Sequence, residues 1–270
     1  MTSSFQRKVK SKLPDIPGTY PSLYTSHLLV SSGVPDLDTL LGGGLAVGTV
    51  LVISEDYSGN FSRLMLKYFL AEGVVHQHSL LVTDSSPDAK IITNNLPFFE
   101  LNKSQENPCQ VESESDEKMK IAWRYQGQNT TKESSNNINA NASAHTFNLL
   151  KTVSNEVIEK CDKKVCEVDA SNEDGSWRNS AYARAIKDLE SKVKDGGFVI
   201  DPTGAAQHKN ILRIGFQSLG LSLWGDLTQR EKHLPKFLYC LRSVLRSCFG
   251  VAVVTIPSSI LRKNNFANNI

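Results

Sequence analysis

A short segment between a predicted strand and a predicted helix holds the residues that decide whether this chain can do phosphate chemistry. A phosphate loop of the G-x-x-x-x-G-K-[ST] type occupies such a position. Its glycines admit backbone N–H groups, its lysine meets phosphate oxygens and its hydroxyl binds Mg²⁺. Here those positions hold Glu55, Asn60, Phe61 and Ser62, so only the hydroxyl is retained. Phenyl cannot neutralise phosphate, and Glu55 and Asp56 add like-charge repulsion. We expect a disabled site with no nucleotide cofactor.

The second element of such chemistry is an acid after an apolar strand, which orients magnesium and water. Two segments compete for this position. The run 198–201 ends in Asp201 but leads directly into Pro202 and then Gly204, which favours a chance match in a loop. The run 211–216 is followed by Gln217 in place of the acid. On that interpretation, no acid is present at this position to orient magnesium and water.

Local basic segments, rather than overall charge, are the candidates for nucleic-acid contact. Lys and Arg number 30 against 28 for Asp and Glu, which excludes binding through overall basicity. Residues 230–270 hold seven basic residues and one acid, a local excess of +6. Arg213, Arg242 and Arg246 are candidates to face RNA or a neighbouring subunit's site. The plainer alternative is that they form solvated helix faces.

An apolar and aromatic island, residues 119–125, interrupts a polar region. It predicts a strand packed on the main domain. Trp123, Arg124 and Tyr125 are candidate subunit contacts, because interfaces favour these residue types. Packing within the chain is the alternative.

Cysteine and histidine patterns predict no metal site. The five cysteines are odd in number and include no C-x-x-C pair, so neither a disulfide framework nor a zinc knuckle is indicated. The six histidines show no ligand spacing; His76 and His78 would point to opposite sides of an extended segment. We expect them to be structural or at the surface.

Alternating strands and helices must position these residues. Strands are predicted over 49–54, 80–84, 211–216 and 251–256. Helices are predicted over 35–41, 61–73, 87–95, 178–194 and 235–248, with Asn60 able to cap the second. The order predicts an α/β fold with a mainly parallel sheet of the nucleotide-binding type. The apolar run 49–54 is typical of a strand covered on both faces.

The chain divides into an N-terminal arm and one domain. Residues 1–26 are basic and proline-containing, which predicts a flexible arm before a domain over 27–270. Polar composition predicts disordered loops near 100–118 and 126–143. No window approaches the roughly 18 apolar residues of a membrane helix, and the N-terminus has no signal-peptide run. A cytosolic or nuclear protein is expected.

Several sequence blocks carry a family resemblance. Residues 32–49 resemble the opening of RecA-like ATPases. Five further blocks resemble the PAXNEB family, the fourth subunits of Elongator complexes; they are residues 67–73, 120–125, 210–215, 223–226 and 236–238.

The resemblance implies a RecA-like fold with a degenerate phosphate loop and a non-catalytic, accessory role. It implies assembly with Elongator subunits 5 and 6 into a heterohexameric ring, and association with the core Elongator complex. It also implies tRNA binding, support of wobble-uridine (U34) modification, and a cytoplasmic and nuclear location. The candidate partner or tRNA contacts are then Trp123, Arg124, Tyr125, Arg242 and Arg246. The alternative function is an active RecA-type ATPase whose phosphate loop has diverged, with Lys67 the nearest lysine after Ser62.

The resemblance further implies strands beyond Ile256, so the domain is expected to be incomplete at its C-terminus. Without those strands, residues 251–256 are expected to form an exposed apolar sheet edge that promotes aggregation. Residues 262–270 are too polar and too few to cover it.

Overall fold

A computed structural model describes most of the predicted domain and part of the predicted arm. It describes residues 16–22, 25, 27–84, 90–100, 145–168, 174–200 and 210–263. The predicted loops near 100–118 and 126–143, apart from Glu100, lie outside the described residues, as does the island 119–125.

Strands and helices alternate through most of the described chain. The strands are β1 (Thr19–Pro21), β2 (Leu28–Val30), β3 (Leu45–Ala46), β4 (Val50–Glu55), β5 (Ser79–Asp84), β6 (Pro97–Glu100), β7 (Thr146–Thr152), β8 (Lys163–Glu167), β9 (Leu212–Phe216) and β10 (Gly250–Pro257). The helices are α1 (Pro35–Leu40), α2 (Asn60–Val75), α3 (Lys90–Asn94), α4 (Asn155–Lys160), α5 (Ala181–Asp195), α6 (Leu227–Arg246) and α7 (Ser258–Lys263).

A parallel five-stranded sheet in the order β4-β10-β9-β5-β8 forms the centre of the molecule. Helices α5 and α6 bury one core with the sheet, which includes Tyr182, Trp224 and Phe237. Helix α2 buries the other, which includes Leu66 and Phe69. This architecture confirms the predicted α/β fold class and is consistent with a RecA-like fold.

The last strand of the sheet lies in its interior, which corrects the expected exposed edge at residues 251–256. Strand β10 pairs in parallel with β4 on one side, where Val253 opposes Leu51, and with β9 on the other, where Val253 opposes Gly215. Residues 251–256 are all buried. Crossover connections place strands by packing rather than by chain order, so the last strand need not be outermost.

Strand β4 is more exposed than the sequence predicts. It lies at the edge of the described sheet, and Val52 is 37% exposed although the sequence predicts burial on both faces. An apolar run alone does not distinguish a central strand from an edge strand whose outer face is partly open.

The predicted flexible arm is ordered near its end. Strand β1 pairs antiparallel with β2, with Tyr20 opposite Leu29. Ile16 is 1% exposed and belongs to the α2-side core. Basic and proline-containing composition therefore does not exclude order where one apolar residue reaches the core.

The starts of two helices differ from those predicted. Helix α2 follows Gly59 at φ +68, so Gly59 rather than Asn60 occupies the N-cap position, and no side-chain cap bond is made there. Helix α6 begins at Leu227 instead of residue 235, because Asp226 accepts a hydrogen bond from the Gln229 N–H at 2.8 Å. None of the helices in the described ranges has the length and apolar character needed to cross a bilayer.

Candidate functional site

The degenerate phosphate loop lies where β4 ends and α2 begins, at the carboxyl edge of the sheet. A buried carboxylate stands at its first position. Glu55 Oε1 accepts hydrogen bonds from the Thr255 hydroxyl at 2.6 Å and from the Ser218 hydroxyl at 2.8 Å. The Ser218 N–H in turn donates to Thr255 Oγ1 at 2.7 Å. Glu55 therefore ties the end of β4 to the end of β10 and to the segment after β9.

The rest of the loop offers no cation for a phosphate among its described side chains. Phe61 is 60% exposed at the position where a phosphate loop carries lysine. Ser62 is buried, and its hydroxyl donates to the carbonyl of Gly59 in the same loop at 3.0 Å. The Ser58 hydroxyl donates to Asp56 at 2.5 Å and lowers the pKa of that exposed carboxyl. The loop thus presents a carboxylate and a phenyl ring.

Gln217 lies next to this loop, directly after β9. Its backbone N–H donates to the Thr83 carbonyl at 3.2 Å. Its side chain is buried, and Oε1 has no hydrogen-bond partner among the described residues. A neutral amide at the acid position holds magnesium far less well than a carboxylate does. Asp201, the competing acid, lies outside the described residues.

The proposed contact residues of α6 lie at the other end of the molecule. Arg242 and Arg246 are exposed, one helical turn apart, and α6 runs into the amino end of β10. Tyr239 is 77% exposed and lies three residues before Arg242. The exposed face of Tyr239, Arg242 and Arg246 is called the α6 face below. The other contact candidates, Trp123, Arg124 and Tyr125, lie outside the described residues.

Arg213 does not face RNA, which corrects its candidacy. It is fully buried in β9. Its Nε donates to His78 Nδ1 at 2.9 Å, and its Nη1 donates to the Ser31 and Phe69 carbonyls at 2.8 and 2.9 Å. The guanidinium also lies 4.8 Å from the centroid of the Phe69 ring. Arg213 therefore anchors β9, α2 and the segment after β2 to one another.

A second polar cluster surrounds the C-terminal end of α2. Glu72 Oε1 lies 3.1 Å from His76 Nε2 and 2.9 Å from His145 Nδ1. Glu72 Oε2 accepts the His145 backbone N–H at 3.3 Å. Glu72 is fully buried, whereas the side chains of His76 and His145 are 22% and 24% exposed. We call these three residues the Glu72 cluster.

Burial and hydrogen bonding act in opposite directions on the charges of this region. Burial alone would raise the pKa of Glu72, but hydrogen bonds from the two histidines and the charge of Arg213 lower it to about 2. Burial, and then the charge of Arg213, lower the pKa of His78 to about 3. Glu72 is thus ionised and His78 neutral near pH 7.

The Glu72 cluster was not predicted from the sequence. Glu72 and His76 are four apart on one helix, a spacing that places two side chains on one face and could have been noticed. His145 follows 73 residues after Glu72, beyond a polar low-complexity segment, and no local pattern connects them. Strand β7 pairs with β6, and Phe147 of β7 packs against Tyr68 of α2, which brings His145 to that helix.

Comparison with known proteins identifies the family behind this arrangement. The family model described as "PAXNEB protein" matches residues 12–270. The chain belongs to the PAXNEB family. The match includes the degenerate loop, the α6 face and the Glu72 cluster, so all three lie within the PAXNEB region.

Several similar relatives carry one name, Elongator complex protein 4. The relative from Xenopus laevis is 37% identical over 278 residues, covering 96% of this chain and 67% of its own length. The relative from Danio rerio is 36% identical, covering 97% of this chain and 69% of its length. The relative from Homo sapiens is 35% identical, covering 93% of this chain and 62% of its length. This PAXNEB chain thus spans roughly two thirds of the length of these relatives.

Proposed function

We propose that this chain is a non-catalytic subunit of an Elongator complex. It assembles with Elongator subunits 5 and 6 into a heterohexameric ring, associates with the core complex, binds tRNA and supports wobble-uridine modification. Membership of the PAXNEB family and relatives named Elongator complex protein 4 support the Elongator assignment. We place its action in the cytoplasm and the nucleus, because tRNA occurs in both compartments.

The observation that carries the non-catalytic role is the Glu55 carboxylate at the first position of the loop. A bound triphosphate would bring several negative charges to a loop that already holds Glu55 and Asp56. The hydroxyls of Thr255 and Ser218 both donate to Glu55, so the carboxylate cannot move away without depriving two buried hydroxyl protons of their acceptor. Phe61 supplies no compensating charge.

The α6 face supports the proposal of tRNA binding. Arginine meets phosphate through a planar fork of donors, and an exposed aromatic ring gives an unpaired base a stacking surface. Arg242 and Arg246 are exposed at i and i+4, with Tyr239 on the same side of α6. Glu231 is the one acid in residues 230–270, and it lies more than two turns before Arg242.

The test uses the full chain co-expressed with Elongator subunits 5 and 6. The mass of the purified assembly is measured by light scattering, and its tRNA affinity by fluorescence anisotropy. We expect a hexamer-sized particle, and a loss of tRNA affinity of about tenfold or more for Arg242→Glu with Arg246→Glu, since each reversal removes a phosphate contact and adds repulsion. The matched control reverses two exposed lysines of α5, Lys187→Glu with Lys194→Glu, and is expected to retain affinity.

Two results would reject parts of this proposal separately. A chain that never enters a particle with the two subunits contradicts the ring. A tRNA affinity that falls equally in the α5 and α6 variants shows that general charge is responsible and removes the α6 face from the proposal.

A further inference from the structure

We propose that Glu72, His76 and His145 form a binding site for a Zn²⁺ ion, with the fourth ligand position open to water. This inference is independent of the proposed Elongator function. The site lies at the C-terminal end of α2, at the opposite end of that helix from the degenerate phosphate loop.

The geometry suits one metal ion. The three candidate ligand atoms lie within 4.8 Å of one another, and two of the distances are 3.1 and 2.9 Å. Zinc bonds of about 2.0–2.2 Å in tetrahedral geometry require ligand atoms roughly 3.3 Å apart. The two carboxylate–histidine distances would therefore need to lengthen by only a few tenths of an ångström to reach this spacing.

The donor set favours zinc over the hard cations. Two imidazole nitrogens and one carboxylate oxygen form a set that zinc accepts, whereas Mg²⁺ and Ca²⁺ prefer shells built from oxygen. Neutral histidine binds a metal through the nitrogen that carries no proton. Binding would thus replace the two histidine hydrogen bonds to Glu72, and each neutral ring would change tautomer, so that its proton lies on the nitrogen that faces away from the ion.

The surroundings of Glu72 orient its carboxylate and leave the site accessible to an ion from solvent. The His145 N–H holds Glu72 Oε2, which leaves Oε1 directed at the histidines. The His76 ring packs beside Gly18 and His78, which restricts its orientation. Both ligand histidines remain about one fifth exposed, so an ion can enter from solvent.

The experiment titrates the full chain with ZnCl₂ by calorimetry. We expect one equivalent bound, and an affinity at least about tenfold weaker in His76→Gln with His145→Gln, because even outer-shell partners of a metal are worth about 10- to 100-fold. His27→Gln, which changes an exposed histidine outside the cluster, is the matched control and is expected to bind like the parent chain.

A spectroscopic arm keeps the proposal testable if the double variant does not fold. Co²⁺ bound to the parent chain should give the strong visible absorption of a four-coordinate ion without thiolate charge-transfer bands. Absence of Zn²⁺ binding, an unchanged affinity in the folded double variant, or thiolate bands that assign the ion to cysteines would each overturn the proposal.

Discussion

At the scale of single residues, Phe61 and Glu55 oppose phosphate binding in different ways, because Phe61 supplies no cation and Glu55 supplies a negative charge. Replacing Phe61 by lysine returns the cation but leaves the fixed Glu55 carboxylate and the exposed Asp56 beside it. The new ammonium would pair with those carboxylates, which lie on its own loop, before it met a phosphate.

We therefore predict no measurable ATP binding by the parent chain or by Phe61→Lys. Titration with ATP and magnesium in a calorimeter measures this directly. Heat that fits a micromolar dissociation constant in the parent chain would favour the alternative, an ATPase with a diverged loop. Binding that returns with Phe61→Lys alone would show that Glu55 does not oppose phosphate.

Gly73 shows how the buried Arg213 constrains its neighbours. A Cβ built on Gly73 would lie 2.8 Å from Arg213 Cδ and 2.9 Å from Leu80 Cδ2. In an open helix, Gly→Ala stabilises by roughly 0.5–1 kcal/mol. Here we expect Gly73→Ala to destabilise, because overpacking costs about 1–3 kcal/mol and displaces an arginine held by three hydrogen bonds.

The midpoint of urea unfolding measures this effect. Glu190→Ala, at an exposed position of α5, is the control and is expected to change the midpoint little. A midpoint for Gly73→Ala equal to or above that of the parent chain would show that Arg213 and Leu80 give way without cost.

At the scale of elements, the helices and strands with a strong apolar pattern could be predicted from the sequence. Strands that depend on pairing with distant segments could not. Helices α2 and α5 and strands β5, β9 and β10 follow the predicted segments closely. Strand β8 was missed because Lys163, Lys164 and Glu167 make it polar, as suits the edge that it forms beside β5. Strands β6 and β7 were not predicted because they pair with each other across a long polar segment of the sequence.

The candidate site, too, could be predicted from the sequence only where its residues are close together in the chain. The loop over 55–62 could be located because a strand, a turn and a helix follow each other directly in the chain. The buried bonds from Thr255 and Ser218 to Glu55 could not, because they join residues 200 and 163 positions apart. The burial of Arg213 was hidden for the same reason: its partners lie on α2 and in the segment after β2.

The α6 face makes an element-scale prediction about salt. If Arg242 and Arg246 each meet a phosphate of tRNA, each contributes roughly −0.7 to −0.9 to the slope of log affinity against log salt. The double charge reversal should therefore weaken binding and also make that slope shallower by the contribution of about two phosphate contacts. Anisotropy titrations over a salt series measure the slope, and the α5 lysine variant should keep the parent value. An unchanged slope would return both arginines to a solvated helix face.

At the scale of the whole molecule, strand order controls where the fold is most resistant to opening. Strand β10 is paired on both sides and its residues 251–256 are buried, whereas β4 and β8 each have one neighbour in the described sheet. Amides of a doubly paired strand exchange only when a large part of the sheet opens, while edge amides exchange through local fraying. Val52 on β4 is also partly exposed, which eases access of water to that edge.

We therefore predict that amides of β9 and β10 exchange most slowly with deuterium, and that β4 and β8 exchange measurably faster. Hydrogen exchange followed by peptide mass spectrometry resolves these segments in the full chain. The comparison is internal, because β4 and β10 are both apolar and differ mainly in their place in the sheet. Exchange in β10 as fast as in β4 would contradict the interior position of β10.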